Sequence, residues 1–183
     1  MEKGRSFLLL SRYLFLIILG IPNLYLFYLI LTPLTVYPVL WILNSIYGAN
    51  LLANNIIFVE NVYTKIIPAC VGGAAYYLLT ILNLTTPMSI KKRIKSLIFL
   101  FSTFFAINIA RIVLFVVLFT QGFQYFDLAH ITSWYFGSTI MVILIWFSNV
   151  MIFKIKKFPI LSDLKDLSKD ITIKNKKFIN PTN

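Results

Sequence analysis

The sequence predicts an all-α polytopic membrane protein: about four full transmembrane helices, one short re-entrant or interfacial helix and a small outer β-hairpin. Three observations predict it. The chain is 59% hydrophobic and 13% charged with a mean hydropathy of +0.84, which lies outside the range of a soluble globular domain. Several apolar runs approach or exceed the ~20 residues that cross the hydrocarbon core as a helix. The basic residues cluster beside those runs. The net charge of +11, from 17 Lys+Arg against 6 Asp+Glu, therefore reads as membrane orientation and attraction to anionic lipid, with no nucleic-acid partner.

Residues 7–31 form the first long apolar run, interrupted only by Ser11, Arg12, Gly20, Pro22 and Asn23. No small-residue cleavage site follows it, so it reads as a retained span rather than a signal peptide. Lys3, Arg5 and Arg12 precede its apolar centre and place the N-terminus in the cytoplasm. Residues 33–47 are apolar but contain Pro38. As a helix they cover about 22 Å, short of the ~30 Å core, and are read as re-entrant or interfacial, with a full crossing as the competing reading.

Residues 48–69 change character. Gly48, Asn50, Asn54, Asn55, Glu60 and Asn61 punctuate two β-prone pieces, 56–59 and 62–67, with Glu60-Asn61 as a hairpin turn between them. Such a hairpin belongs at the surface or against the bundle, not in lipid, and can bind an extended peptide by strand pairing. A span over 70–88 follows. Lys91-Lys92-Arg93-Ile94-Lys95 is the strongest topological marker and belongs in the cytoplasm. Spans over 96–119 and 131–153 flank a short loop, 120–130. The N-terminus, the 89–95 loop and the tail are then inside, and 32–69 and 120–130 outside, where Lys65 is the sole Lys or Arg. The chain divides into a membrane bundle, 1–153, and a basic cytoplasmic tail, 154–183, with eight lysines and three aspartates, read as partly disordered and lipid-touching. Asn83-Leu84-Thr85 matches a glycosylation sequon but sits near the inner face, a chance match.

Three residues then stand out. Cys70 is the sole cysteine. It follows Pro68 at the outer start of a predicted helix, where unsatisfied N–H groups favour a thiolate. A lone cysteine is more often a small buried hydrophobe. Gly72 and Gly73 serve close approach of a substrate or, equally, close helix packing. Arg111 sits inside an apolar helix, where a guanidinium is costly unless it snorkels, pairs or faces a wet cavity. Asn108, three residues earlier, lies on the same face and can hold it. His130, the sole histidine, begins the last predicted span, and Asp127 three residues before it can bond its ring. One histidine, one cysteine and six scattered acids are too few ligands for a zinc or di-metal site, and no cofactor is expected. The topology, drawn from lysines and run lengths, puts all three residues in the outer half of the membrane. Cysteine and histidine supply a nucleophile and a base, and a buried arginine supplies charge for an oxyanion, a set that fits acyl transfer or peptide cleavage.

Pro68-Ala69-Cys70-Val71-Gly72, Asn108-Ile109-Ala110-Arg111 and His130 at the head of the last span resemble the archaeosortase/exosortase family of membrane cysteine transpeptidases. That family's pattern is Ala-Cys-x-Gly, then Asn-x-x-Arg, then His, each near the outer end of a helix. The resemblance covers about residues 40–153, the implied catalytic core. Val71 departs from the small polar residue of many members, and the chain has fewer spans than larger members, which leaves the substrate class open. The resemblance implies Cys70 as nucleophile, Arg111 orienting or stabilising the carbonyl oxygen, and His130 as acid/base. It implies secreted substrate proteins that end in a short motif, a transmembrane helix and a basic tail, and an acceptor that can be a membrane lipid. The site would face outside in a multi-pass cell-membrane protein. The competing class is a non-enzymatic membrane scaffold or assembly factor. A transporter would need a polar path, and only Asn108 and Arg111 lie deep in a span.

Overall fold

The computed structural model describes residues 13–14, 16–18, 20 and 24–155. Lys3, Arg5, Arg12 and the tail from 156 onward lie outside the described residues, as does much of the expected first span. The first apolar run is not one helix through residue 31. At Leu24 the backbone turns left-handed (φ 60°), and a new helix, α1 (Tyr25–Tyr47), runs for 23 residues. It absorbs the segment 33–47 expected as a short re-entrant helix. Pro33 and Pro38 lie inside α1. Each removes a single backbone donor, and packed apolar surroundings tolerate that. At 1.5 Å per residue α1 is roughly 34 Å long, so it is not a short element. It stops at Gly48 (φ 70°), whose N–H donates to Asn44 O at 3.0 Å.

A three-stranded antiparallel sheet follows, β1 (Asn50–Leu52), β2 (Ile56–Val59) and β3 (Val62–Lys65), in that spatial order. The expected hairpin is present. Glu60 and Asn61 both take positive φ (48° and 62°), as a type I′ turn requires, and Val59 pairs with Val62. Strand β1 was not expected, because Asn-Leu-Leu is too short to show a period. Ile57 and Val59 on β2 are fully buried and turn one face of the sheet toward the core.

The expected span over 70–88 is broken near its start. Pro68–Val71 forms a single turn, α2, closed by Gly72 at φ 77°, and α3 (Gly73–Thr85) begins after it. A Cβ on Gly72 would stand 3.0 Å from two Phe104 ring carbons, and one on Gly73 would stand 2.7 Å from Tyr28. The paired glycines therefore serve close packing, one of the two roles anticipated for them. Helix α4 (Ile90–Thr120) takes in the basic cluster expected as a loop. Helix α5 (Phe126–Thr132), a π-helical segment (Ser133–Gly137) and α6 (Ser138–Ile152) complete the chain, so the loop expected over 120–130 shrinks to 121–125. The stretches Phe27–Tyr47, Pro68–Thr85, Ile90–Thr120 and Phe126–Ile152 are each long and apolar enough to cross a membrane. Val39, Leu43, Tyr76, Leu79, Leu100 and Phe104 form the centre of the core between them.

The 31-residue α4 is the spine. At its start, Arg93 donates to the carbonyls of Asn83 (2.6 Å), Leu84 (2.8 Å) and Thr86 (3.0 Å), and Lys92 donates to Phe153 O (2.8 Å). These are the orphan carbonyls where α3 and α6 end. Asn83 Nδ2 donates to Ser96 Oγ at 2.8 Å, and Ser96 Oγ to Asn149 Oδ1 at 2.8 Å. The Asn83 of the sequon is fully buried, which fits its reading as a chance match. Backbone geometry yields a prediction. Gly48 and Gly72 are both left-handed, but a Cβ on Gly48 meets nothing within 4 Å. Gly48→Ala should cost about 1 kcal/mol, the backbone term alone. Gly72→Ala should cost roughly 1–3 kcal/mol more, because the Phe104 ring must shift. Thermal unfolding in detergent of the two variants checks the order.

Candidate active site

The break at Gly72 creates a need. Gly72 N donates to Pro68 O, and Ala75 and Tyr76 N donate to Gly72 O, so the carbonyls of Cys70 and Val71 fall between two helices without helical partners. Asn108 supplies the missing donor. Its Nδ2 reaches Cys70 O at 3.0 Å and Val71 O at 3.3 Å from a position that is 1% exposed. Its Oδ1 accepts from Arg111 Nη2 at 2.9 Å. One amide thus ties the backbone of the cysteine turn to the arginine one turn along α4, and the expectation that Asn108 holds Arg111 is met.

Arg111 has a second partner. Its Nη1 donates to Ser138 Oγ at the head of α6, and Ser138 Oγ lies 3.4 Å from Ser133 O, within the π-helical segment. Both partners of the guanidinium are neutral. Among the described residues no carboxylate pairs with Arg111, so its positive charge is oriented but not neutralised. Sequence reasoning missed Ser138. The residue lies 27 positions away on another helix, and nothing local marks it. The π-helical segment beside it is a feature found often at functional sites.

His130 lies in α5, one turn into the helix rather than at its start. The imidazole stacks on Phe126 (centroids 5.5 Å apart, planes within 8°) and meets Phe115 edge-on at 5.3 Å. Asp127 makes no hydrogen bond to the ring. It sits in the first turn of α5, where a carboxylate favours the positive end of the helix dipole. The supporting role expected for Asp127 therefore passes to two aromatic rings. Helical spacing suggested i,i+3 contact, but the ring faces α4 instead.

These side chains meet at a cavity of about 480 Å³, lined by Cys70, Arg111, Phe115, His130, Ser133 and Trp134 together with residues 63–67 and further apolar groups. The walls are mainly apolar and aromatic. Cys70, Arg111 and His130, drawn together from topology alone, do line one space. None of the three hydrogen-bonds to another. Cys70 lies level with Asn108, 12 residues before the end of α4 at Thr120, which is about 18 Å along the helix. The Cys70 carbonyl is thus tied to the interior of α4 and not to its end. The helical turn of Cys70 is separate from α3, so the first turn of a long helix does not carry the thiol as expected.

Such a set can do one kind of chemistry well: a thiol to attack, a fixed cation to meet developing negative charge, and an imidazole to move protons. Among the described residues no three of His, Cys, Asp and Glu converge to hold a metal ion. Asn108→Ala should remove the donor for two buried carbonyls and one acceptor for Arg111. The expected cost is about 1–3 kcal/mol of stability, with faster alkylation of the loosened Cys70. Ser138→Ala leaves Arg111 held by Asn108 and should cost less. Denaturation in detergent and timed labelling with iodoacetamide measure both.

No family model, no curated protein and no solved structure matches the chain.

Proposed function

We propose that this protein is an integral membrane cysteine peptidase or transpeptidase acting on a peptide bond at the sheet end of the bundle. The observation that carries the reading is that Cys70, Arg111 and His130 line a single cavity, with Arg111 braced by two neutral partners. Four apolar helices suit a bilayer. So do many exposed large apolar side chains, among them Trp41 (80%) and Met151 (70%). By the positive-inside rule the basic cluster at 91–95 and Lys154 favour the cytoplasm for the opposite end, and the cavity would then open toward the outer side.

In the proposed reaction the Cys70 thiolate attacks the peptide carbonyl and a C–S bond forms. The oxyanion is met by the Arg111 guanidinium. The C–N bond then breaks, and His130 gives the leaving amine its proton, leaving a thioester on Cys70. His130 next takes the proton of an acceptor amine, hydroxyl or water as that group attacks the thioester carbonyl, the C–S bond breaks, and Cys70 leaves as the thiolate with which the cycle began. The resemblance to the archaeosortase/exosortase family implies as substrate a secreted protein with a C-terminal motif, helix and basic tail, and an acceptor that can be a membrane lipid. A scaffold role competes, because no hydrogen bond joins the three side chains.

Cys70→Ala and Cys70→Ser should abolish processing of a signal-bearing partner while the protein still accumulates in the membrane. Full processing by Cys70→Ala sinks the enzyme reading. Arg111→Lys should also fail, by a hundredfold or more in rate on the order of a lost oxyanion donor. A single ammonium cannot span Asn108 and Ser138 and still face the cavity. Normal turnover by Arg111→Lys would reduce Arg111 to a structural charge.

A further inference from the structure

The cavity wall opposite α5 is built from five consecutive residues, Tyr63, Thr64, Lys65, Ile66 and Ile67. A strand that shows a face to a cavity contributes every second residue. Tyr63, Thr64 and Lys65 are successive residues of β3 and all line the cavity, so the strand presents its edge, and Ile66 and Ile67 continue the wall beyond it. Strand β3 is the outer strand of the sheet, and among the described residues it has no partner on that side.

The phase of its hydrogen bonds follows from one contact. Ile66 N donates to Asn55 O at 3.0 Å, so Ile66 turns its backbone groups toward β2. In an antiparallel ladder this alternates, and with the register Ile57↔Thr64 and Val59↔Val62 the same holds for Thr64 and Val62. Tyr63 and Lys65 then point their N–H and C=O groups away from β2, along the free edge. The Phe58 and Tyr63 rings, 4.9 Å apart, agree with a directly opposed, non-hydrogen-bonded pair. Two donors and two acceptors are thus displayed at the cavity, and the chain then turns at Pro68 to bring Cys70 into the same space.

We infer that the Tyr63–Lys65 edge of β3 binds the substrate as an added strand, holding an extended stretch of about three residues across the cavity with its carbonyl delivered to Cys70. This rests on the reading of Cys70 as the nucleophile. Backbone pairing sets the register, and the side chains of the bound stretch meet mainly apolar walls. The charged side chains lining the cavity, Lys65 and Arg111, are both cations, so the bound stretch carries no Lys or Arg. The basic part of a substrate must therefore lie outside the paired residues.

The test uses the full-length protein in detergent and reads adduct mass, since Cys70 is the sole cysteine. Iodoacetamide alkylates the thiol with loss of iodide and has no peptide backbone to pair. Acetyl-Val-Leu-Ala chloromethyl ketone alkylates it with loss of chloride and has one. Lys65→Pro deletes an N–H that faces the cavity, at an edge position where proline is tolerated. It should slow the peptidyl reagent roughly three- to tenfold, the worth of one hydrogen bond, while iodoacetamide labelling shows that the thiol stays accessible. On the unsubstituted protein, N-methylating the peptidyl reagent at the amide that faces the edge should give a similar loss, and Arg in place of Leu should also slow it. Equal peptidyl rates for all of these overturn the inference and leave Cys70 as nucleophile. A dimer that Lys65→Pro converts to monomer would assign the edge to a second copy instead and overturn it too. A Cys70 that neither reagent labels removes the reading of the site and this inference with it.

Discussion

The side-chain amide of Asn108 is the interaction on which the site depends. It answers a problem created by Gly72, whose left-handed backbone ends one helical turn and starts the next helix. Helix breaks strand carbonyls, and in apolar surroundings a stranded carbonyl is costly. Asn108 covers two of them with one NH₂ group and passes its remaining oxygen to Arg111. The bend that lets Cys70 face the cavity and the brace that aims Arg111 are therefore one device. A longer unbroken helix would satisfy its own carbonyls, leave Asn108 without purpose and turn the thiol elsewhere.

The same logic repeats at the other end of α4. Arg93 covers three carbonyls at the end of α3, and Lys92 covers one at the end of α6. In the sequence these cations read as a topological signal. The structure adds a packing role. Lysine and arginine side chains from the first turns of α4 close the C-terminal ends of the helices packed against it. The α4 side chains that hydrogen-bond to other elements thus sit where another element breaks or stops, at residues 92–96 and again at 108–111. Apolar contacts fill the interval between, at Leu100 and Phe104.

The helices, the Glu60-Asn61 turn and the Asn108–Arg111 contact were legible because each is local: a run length, a two-residue turn, an i,i+3 spacing. The boundaries were less so. A separate short element was expected over 33–47, which α1 runs straight through, while a break came at Leu24, just after Pro22 and Asn23. Gly72 looked like a packing residue inside a helix and is also a helix end. Ser138 and the contact of Phe115 with His130 could not be read, since they depend on how α4, α5 and α6 come together, whereas the Phe126 stack on His130 is an i,i+4 pair within α5 that spacing alone could have suggested. Asp127 shows the opposite error. Its spacing to His130 was right for contact, and tertiary packing turned the ring the other way.

The vertical order of the site constrains how it can work. Along α4, Asn108 marks the level of Cys70, and Phe115 marks the level of His130. Seven residues separate those levels, about 10 Å of helix, with Arg111 between them. No hydrogen bond joins Cys70 to His130, so in the proposed reaction His130 does not hold the thiol before substrate arrives. The charge nearest the thiol's level is Arg111, which neutral partners hold without cancelling. Arg111 is then the group placed to favour a thiolate first and an oxyanion second. His130, higher in the cavity, is placed for what enters or leaves from above: the departing amine and the incoming acceptor. That division separates the attack, deep in the bundle, from the proton traffic nearer the mouth, and it requires the substrate itself to fill the gap between them.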